Sequence, residues 1–555
     1  MRAILTTLFL CLLLTTAHAE TASYYGFGSG RHFERTKHKS EFAPRLRPIS
    51  AFLERNSVEH THCDASPCWL PLRYAMTKTD VHFATCERFI TSDNLRYRNE
   101  EPLQRGKSPT LWRTNRQSAC EPCRPDQAHT RRVTDDVLTP VARSAASHWN
   151  IDMQSTEVSS IKVTIVGGGI GGLTAALALL QRGIDVDVYE QSAVLKEVGA
   201  GVQLGSNGTR VLYALGLQEA LVGVQVIPSA REIRHWRTGE TWNWFDLGVT
   251  SAKRYGTPHI MLHRGDLLSI LAEAVQRLKP NAVSLGRKCV AVSQKVENAE
   301  VSFADGYIAK SAFVIGADGI HSQVRACLFG AGRAEFTGCV AWRGLVSMER
   351  LPPHLARMVG TNWLGPRGHV LHYPVRRGEL MNFISIVERD DWQVESWTVE
   401  GTKGELANDF RGWHQDVHTL IDSVDTPYKW ALMVRGPMER WTQGRITLLG
   451  DACHPTLPFL GQGAVMAIED AYVVAACLSK YAKEPMAALD RYQDIRRDRT
   501  AAVVRKAHEN RKQAFSPELA DEDAIAISVA REWQQVRLRE RMDWLYAYDA
   551  TSVEI

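Results

Sequence analysis

The hydrophobic and polar positions divide the chain into two unlike parts, and the change lies close to Met153. Beyond this point, short apolar runs that end at Gly or Asp alternate with stretches of helical period. The runs predict buried strands and the helical stretches predict packed helices, which together indicate an α/β fold. Residues 20–152 show no sustained period and are rich in Arg, His, Ser and Thr. Such a segment buries little apolar surface, so we expect it to be poorly ordered.

The beginning of the chain has a pattern of its own. Arg2 is followed by the apolar run AILTTLFLCLLL and by Ala17-x-Ala19, so residues 1–19 are typical of a secretory signal peptide. The run is too short to span a membrane, and no other stretch approaches about 20 unbroken apolar residues, so we predict no transmembrane helix. Met153 would also be a natural start, and an over-extended reading frame is an alternative explanation of residues 20–152.

Charge and cysteine content limit the partners. The net charge of the 555 residues is only +4, and no long basic stretch is interleaved with aromatic residues, so we predict no nucleic-acid partner. HTHCDASPC and CEPC offer zinc-binding side chains, but only one Cys-x-x-Cys occurs, and we predict no metal site. Five later cysteines are expected to be unpaired core residues of a reducing compartment: Cys289, Cys327, Cys339, Cys453 and Cys477.

The stretch IKVTIVGGGIGGLTAALALLQRGIDVDVYEQ predicts a strand, a glycine turn, a helix ending at Gly183 and a second strand. Gly167, Gly169 and Gly172 have the G-x-G-x-x-G spacing, in which the glycines make the turn, admit a pyrophosphate and pack helix on strand. The helix N-terminus attracts the anion, and Glu190 is placed to accept hydrogen bonds from a ribose. The motif predicts a bound dinucleotide and leaves FAD and NAD open.

Two later apolar strands break at an aspartate, SAFVIGADGIHSQVR at Asp318 and RITLLGDACHP at Asp451. With the glycine motif, these signatures resemble the single-component FAD-dependent aromatic hydroxylases of the p-hydroxybenzoate hydroxylase fold. The pattern is most similar to the salicylate hydroxylases and 3-hydroxybenzoate 6-hydroxylases, over about residues 160–550. The resemblance implies an α/β fold in which a Rossmann-like FAD-binding domain is interleaved with a mixed-sheet substrate domain and followed by C-terminal helices.

This architecture leads to expected domain boundaries. The FAD-binding monooxygenase domain covers residues 160–490, with substrate-domain segments at about 228–257 and 336–440. Residues 491–555 are expected to form C-terminal helices, which either cover the flavin domain or form the interface of a homodimer. Because FAD loading and NADH supply are intracellular, we expect a cytoplasmic location despite the signal-like start.

The resemblance also implies a set of FAD-binding residues. Asp451 matches an aspartate that bonds to the ribityl chain, and Gly461 and Gly463 match glycines whose backbone lies along the isoalloxazine ring. The helix that follows would direct its N-terminus at the pyrimidine side of the flavin, where a reduced flavin is negative.

Four further residues complete this set by resemblance. Asp318 is expected near the pyrophosphate, where the family also binds the reduced nicotinamide. Arg264 is expected to reach the ribityl or phosphate region, and the backbone of Ala200 and Gly201 is expected to pass close to the cofactor.

In the family, NADH or NADPH visits transiently and reduces the flavin, which reacts with O2 to give a C4a-hydroperoxide. This species hydroxylates a small aromatic substrate. His369 and Tyr373 match an active-site His and Tyr of the 3-hydroxybenzoate enzymes, and an imidazole near a phenol favours the phenolate. In a strand these two side chains share one face with Leu371, and His372 points to the other.

Pro458 is a departure from the 3-hydroxybenzoate enzymes, which carry a polar residue there. It disfavours 6-hydroxylation and favours a salicylate-like substrate, whose carboxyl-bearing carbon would be attacked with loss of carbon dioxide. Arg343, Arg376 and Arg377 are candidates for binding the substrate carboxylate. Two alternatives remain open at this stage: a related flavoenzyme that acts on a non-aromatic substrate, such as an epoxidase or quinone-pathway hydroxylase, and a secreted non-enzymatic binding protein.

Overall fold

The computed structural model of the chain describes residues 161–195, 200–330, 332, 334–392, 394, 399–515, 517–520, 540 and 543–555. The signal-like segment 1–19, the extension 20–152 and its candidate zinc ligands lie outside the described residues. The strands, in chain order, are β1 (Lys162–Val166), β2 (Asp185–Tyr189), β3 (Gly201–Leu204), β4 (Ala230–His235), β5 (Thr241–Phe245), β6 (Ile260–His263), β7 (Val283–Ser284), β8 (Cys289–Gln294), β9 (Ala299–Phe303), β10 (Ile308–Ser311), β11 (Phe313–Gly316), β12 (Glu335–Ser347), β13 (Val359–Gly365), β14 (Gly368–Val375), β15 (Leu380–Glu388), β16 (Tyr428–Val434), β17 (Thr442–Gln443) and β18 (Ile446–Leu448).

The helices lie between these strands and at the C-terminal end. They are α1 (Ile170–Leu180), α2 (Ser206–Ala214), α3 (Gln218–Val222), α4 (Val249–Tyr255), α5 (Arg264–Leu278), α6 (Gln323–Phe329), α7 (Lys403–Asp409), α8 (Gln415–Ser423), α9 (Gly463–Lys480) and α10 (Pro485–Ala514).

A six-stranded sheet of order β17-β18-β11-β1-β2-β7 carries the glycine motif. β1 pairs in parallel with β2 and β11, and β11 pairs in parallel with β18. β11 and β18 are buried along their whole length, as in parallel sheets whose two faces are both covered. The carboxyl ends of parallel strands meet at one edge, which is where such sheets bind ligands. Gly167, Asp318 and Asp451, which follow β1, β11 and β18, therefore lie at the same edge.

A seven-stranded mixed sheet of order β16-β12-β15-β14-β13-β4-β5 lies beside this region. β4 pairs in parallel with β13, and the other neighbours are antiparallel. Its strands come from residues 230–245 and 335–434, within or close to the two segments expected for the substrate domain. That assignment of function stays a prediction.

The two faces of the seven-stranded sheet bury different partners. We call the face that packs on α7 and α8 the helix face; its core contains Trp342, Trp363 and Phe383. The opposite face, which we call the cleft face, carries His369 and Tyr373. It packs on residues of β6, of α10 and of the segment 517–520.

The C-terminal region and the cysteines complete the fold. α10 begins at Pro485, slightly before the predicted C-terminal helices, and packs against α9. The five later cysteines are unpaired, but Cys327 is exposed, so it was wrongly expected to be a core residue. Among the described helices, none combines the length and the apolar character that a membrane crossing requires.

Candidate active site and cofactor cleft

The glycine turn after β1 is closed on one side and open on the other. Gly167 has a φ of +108°, and a Cβ there would lie 2.3 Å from the carbonyl oxygen of Ala317. A Cβ at Gly172 would lie 2.0 Å from the carbonyl oxygen of Gly167, so α1 packs directly on the turn. At Gly169, a Cβ would meet no atom within 4 Å. The open side at Gly169 is what close approach of a pyrophosphate needs.

Glu190 holds this turn in place. Its carboxylate accepts the backbone N–H of Gly168 at 2.7 Å and that of Ser192 at 2.8 Å. Each carboxylate oxygen can accept more than one hydrogen bond, so both can still accept from another donor. Its contact with a ribose stays a prediction.

Two helix N-termini at the cleft lack a capping side chain. α1 follows Gly169 and α9 follows Gln462, and neither has a side-chain cap or an acidic residue in its first turn. The first N–H groups of a helix have no intrahelical partner, and the helix dipole adds positive charge there. This donor set fits FAD, which carries a pyrophosphate and, when reduced, a negative ring.

Asp451 and Arg264 lie close to each other at this cleft. Arg264 opens α5, and its backbone N–H donates to the carbonyl oxygen of Ala200 at 2.8 Å. The protein around Asp451 raises the pKa of its carboxyl, although His454 and Arg264 oppose this shift. The Asp451 side chain is nevertheless accessible to solvent. An accessible acid beside a cation suits the hydroxyls of a ribityl chain.

The loop before α9 is also open. Gly461 has a φ of +63°, and a Cβ there would meet no atom within 4 Å. Gly463 begins α9, and a Cβ there would lie 4.0 Å from the Oδ1 atom of Asp451. The open space at Gly461 leaves room for a flat ring to lie against this backbone.

Asp318 has a local structural role. Its carboxylate accepts from the Ser322 hydroxyl at 2.5 Å and from the backbone N–H groups of Gln323 and Val324 at 2.7 and 3.0 Å. These bonds fix the start of α6, which explains an Asp-Gly turn at this position without a cofactor. Contact of Asp318 with FAD or nicotinamide stays a prediction.

The predicted cofactor segment and the predicted catalytic strand touch at Gly201. Tyr373 is 2% exposed and lies opposite Asn382 on β15. A Cβ at Gly201 would lie 2.7 Å from atoms of both side chains, and Asn382 Oδ1 accepts the Gly201 N–H at 2.6 Å. Burial raises the pKa of the Tyr373 phenol, so it stays protonated and can donate a hydrogen bond.

His369 lies in an aromatic environment on the same face. Its ring centroid is 5.4 Å from that of Phe459 and 5.9 Å from that of Phe515. Among the described residues, Nδ1 has no hydrogen-bond partner. Burial, together with the positive charge of Arg231, lowers the pKa of His369 to about 4. The imidazole is therefore neutral at pH 7 and can accept a proton.

Pro458 precedes the aromatic residue that lies against His369. It is exposed, and its carbonyl oxygen accepts the N–H of Gly461 at 3.0 Å. Phe459 therefore supplies the ring beside the predicted base, and the substrate contact of Pro458 stays a prediction.

Three polar residues that lie near one another were not predicted from the sequence: Arg231, whose charge also acts on His369, His259 and Tyr546. Arg231 shares the cleft face, and the rings of His259 and Tyr546 lie 5.9 Å apart. Alternation in the β4 sequence AREIRH places Arg231 and Arg234 on opposite faces, but the sequence alone did not show which face meets the cleft.

A buried ion network supports the start of α9 from behind. Arg496 donates to Asp470 at 2.7 Å and to Glu469 at 2.6 Å, and His454 is bonded to Asp470 at 2.6 Å. Glu469 also accepts from Asn207, whose amide reaches Gln462 at the helix cap. The network accounts for His454 as a structural residue and fixes the orientation of α9 at the cleft.

The fold and the cleft define a flavin-binding protein of the doubly wound class. The family described as the FAD binding domain matches residues 160–507. The chain therefore belongs to this family and is an FAD-dependent aromatic monooxygenase that uses NADH or NADPH; the predicted family, fold class and cofactors are confirmed.

Curated relatives and a solved structure agree with this assignment. The chain is 38% identical to 3-amino-4-hydroxybenzoate 2-monooxygenase PtnB3 of Streptomyces platensis, over 71% of this chain and 97% of the relative. It is 33% identical to 3-hydroxybenzoate 6-hydroxylase of Polaromonas naphthalenivorans, over 71% and 98%. The structure of a salicylate hydroxylase substrate complex matches with a TM-score of 0.59 at 28% identity, covering 71% of this chain and 96% of that one.

Proposed function

We propose that the protein hydroxylates a hydroxy-substituted aromatic carboxylate, a class that includes salicylate and 3-amino-4-hydroxybenzoate. The observation that carries this proposal is that His369 and Tyr373 share the cleft face, where Tyr373 lies next to the Gly201 backbone. The names of the relatives support the substrate class, since the substrates of both curated enzymes carry a ring hydroxyl and a carboxylate.

His369 and Tyr373 divide the work on the substrate. The neutral imidazole of His369 accepts the proton of the ring hydroxyl, which makes the ring more electron-rich. The protonated phenol of Tyr373 donates a hydrogen bond that orients the ring. Phe459 and Phe515 pack around the imidazole and exclude water.

FAD, when bound by the glycine turn, the Asp451 region and the start of α9, supplies the redox chemistry that connects NADH or NADPH with O2. One oxygen atom of O2 becomes the new ring hydroxyl. The other leaves as water, using the two electrons of the nicotinamide and two protons. If the carboxyl-bearing carbon is attacked instead, carbon dioxide is released in place of the ring proton.

A substrate panel with the FAD-loaded full chain tests the proposal. Salicylate, 3-amino-4-hydroxybenzoate and 3-hydroxybenzoate are compared with a non-aromatic acid, cyclohexanecarboxylate, under ¹⁸O₂. We expect one aromatic acid to stimulate NADH or NADPH oxidation and to give a product whose mass shows one ¹⁸O atom, with or without loss of carbon dioxide. Nicotinamide oxidation that yields only hydrogen peroxide with every aromatic acid would refute the proposal.

A homodimer and a cytoplasmic location remain finer predictions from the sequence. Light scattering of the purified full chain tests the first. N-terminal sequencing of the natural protein tests the second, since a start at Met153 and a start at Glu20 lead to different locations.

A further inference from the structure

Arg231 is a partly buried cation to which the described residues supply no carboxylate. It lies on β4 opposite Gly360, where a Cβ would lie 3.9 Å from the Cβ of Tyr373. Burial lowers the pKa of the guanidinium, and among the residues that the structure describes only Tyr546 opposes this shift. Arginine nevertheless stays charged in proteins, so within the described part of the chain the cation has no counterion.

His259 is a second polar group without a partner beside Arg231. It is 2% exposed, and among the described residues neither ring nitrogen has a hydrogen-bond partner. Burial, followed by the charge of Arg231, lowers its pKa to about 3, so the ring is neutral and carries one N–H donor. A buried imidazole with both nitrogens unpaired is costly and calls for a missing partner.

Arg231 connects the unpartnered His259 with the predicted catalytic histidine, His369. The charge of Arg231 acts on both His259, which precedes β6, and His369 on β14, so the guanidinium lies near both rings. Tyr546, from the C-terminal segment, closes the same region and packs on Gly205, where a Cβ would lie 2.4 Å from its ring. An anion held here would lie beside the residues that handle the ring hydroxyl.

The other candidate cations are less suitable. Arg376 is bound to Asp266 through two nitrogens, at 3.0 and 2.9 Å. Arg343 lies over the rings of Tyr428 and Trp430, at 5.7 and 5.6 Å from their centroids.

We propose that Arg231, assisted by the N–H of His259, binds the carboxylate of the aromatic substrate and thereby makes the enzyme specific for ring acids. This inference rests on the proposed function and names a specificity residue for it. A guanidinium can hold both oxygens of a carboxylate, which fixes the orientation of the ring as well as its charge.

Binding of the substrate carboxylate would also make His369 a stronger base. Arg231 is one of two causes of the low pKa of His369, and a bound anion would oppose its effect. The pKa of His369 would then rise towards the range in which an imidazole is an effective base at neutral pH. An uncharged ring would leave the imidazole a weaker base.

The test compares an acid with its amide on the FAD-loaded full chain. Dissociation constants for 3-amino-4-hydroxybenzoate and 3-amino-4-hydroxybenzamide are measured from changes in flavin absorbance, for wild type, Arg231→Met, Arg231→Lys and the control Arg376→Met. We expect Arg231→Met to weaken binding of the acid by about 10- to 150-fold and to leave the amide almost unchanged, because a charge-assisted hydrogen bond is lost. Arg231→Lys should restore part of the loss, and Arg376→Met should resemble wild type.

Three results would overturn the inference. One is an equal loss for acid and amide in Arg231→Met, and another is no loss in a variant that retains its FAD. The third is that wild type binds the amide as tightly as the acid. This measurement needs no variant, so it tests the inference even if Arg231→Met does not fold. If wild type hydroxylates none of the aromatic acids in the panel, the proposed function itself fails. If wild type hydroxylates one of them and Arg231→Met binds the acid as tightly as wild type does, only the role of Arg231 is refuted.

Discussion

The two faces of the seven-stranded sheet carry similar polar residues in opposite states. On the helix face, Glu232 is 1% exposed and accepts hydrogen bonds from Arg357 and from Thr361, the latter at 2.8 Å; Arg234 forms an ion pair with it at 3.0 Å. On the cleft face, the neighbouring Arg231 has no described carboxylate. A shift of one residue along β4 thus separates a buried carboxylate shared by two arginines from an arginine that has no carboxylate partner among the described residues.

This difference concerns the charged groups: those of the helix face are paired, and the arginine of the cleft face is not paired with a described carboxylate. A buried charge is stable only when it is paired, and the carboxylate of Glu232 is paired with Arg234 and Arg357. The cleft face leaves the Nδ1 atom of His369 and the Nδ2 atom of Asn382 without described partners. The helix face also has unpartnered atoms among the described residues: both ring nitrogens of His372, Nε1 of Trp363 and Oγ of Ser385.

The comparison is tested most strongly by His369 and His372, which lie on the same strand and point to opposite faces. We expect His369→Asn to lower kcat/KM for the best aromatic substrate by about 10²- to 10⁴-fold, because it removes the proton acceptor. His372→Asn should change kcat/KM only slightly. Steady-state product formation, normalised to bound FAD, measures both. Equal losses in the two variants would show that the faces do not differ in function.

The sequence predicted the parts of this arrangement that depend on local order. The glycine spacing placed Gly167 and Gly172 in their turn, and the period of two placed His369 and Tyr373 on one face, because both follow from neighbouring residues. The register that brings β4 beside β13 joins segments more than a hundred residues apart, as Gly360 pairs with Arg231. That pairing has no local signal, so Arg231 could not be chosen over Arg343, Arg376 and Arg377.

Two further features could not be predicted for related reasons. Tyr546 reaches the cleft from the C-terminal segment, and its contact with Gly205 depends on how distant elements pack. Asp318 combines a motif position with a helix cap, and the sequence GADGIHSQ allows both roles. Local order therefore predicted the glycine turn better than the cleft-face side chains, which come from distant segments.

Glu232→Gln tests the helix face. The change leaves Arg234 and Arg357 without the buried carboxylate between them, and we expect the free energy of unfolding to fall by about 3 kcal/mol. Urea unfolding with excess FAD measures this effect, and Glu240→Gln on the exposed hairpin after β4 is the matched control. The variant should keep its turnover per folded molecule. A stable variant with impaired turnover would assign Glu232 to the active site instead.

Acidification tests the unpaired histidines. Burial and nearby arginines lower the pKa of His372 to about 3, below the value of about 6.5 in an unfolded chain. Between these values the unfolded chain binds a proton that the folded chain does not, so stability is full above pH 6.5 and is lost as the pH falls. His372 alone contributes up to about 2 kcal/mol of this loss at pH 5.

The measurement is the thermal midpoint at pH 7.5, 6.5 and 5.0, for wild type and His372→Phe, which cannot be protonated. We expect the difference between pH 7.5 and pH 5.0 to be smaller in the variant than in wild type. The same difference in both proteins would mean that His372 takes up its proton without unfolding, and that its pKa is not depressed.

Arg376→Met has the smallest expected effect and gives the sharpest contrast with Arg231. Both arginines belong to strands or turns of the same sheet, but Arg376 is 43% exposed and already paired with Asp266. An exposed ion pair contributes about 0.2–1 kcal/mol, so the variant should lose little stability and keep the ratio of acid to amide binding. Arg376 was also a candidate on sequence alone. If Arg376→Met lost the preference for the acid over the amide, burial without a counterion would not identify the substrate-binding cation.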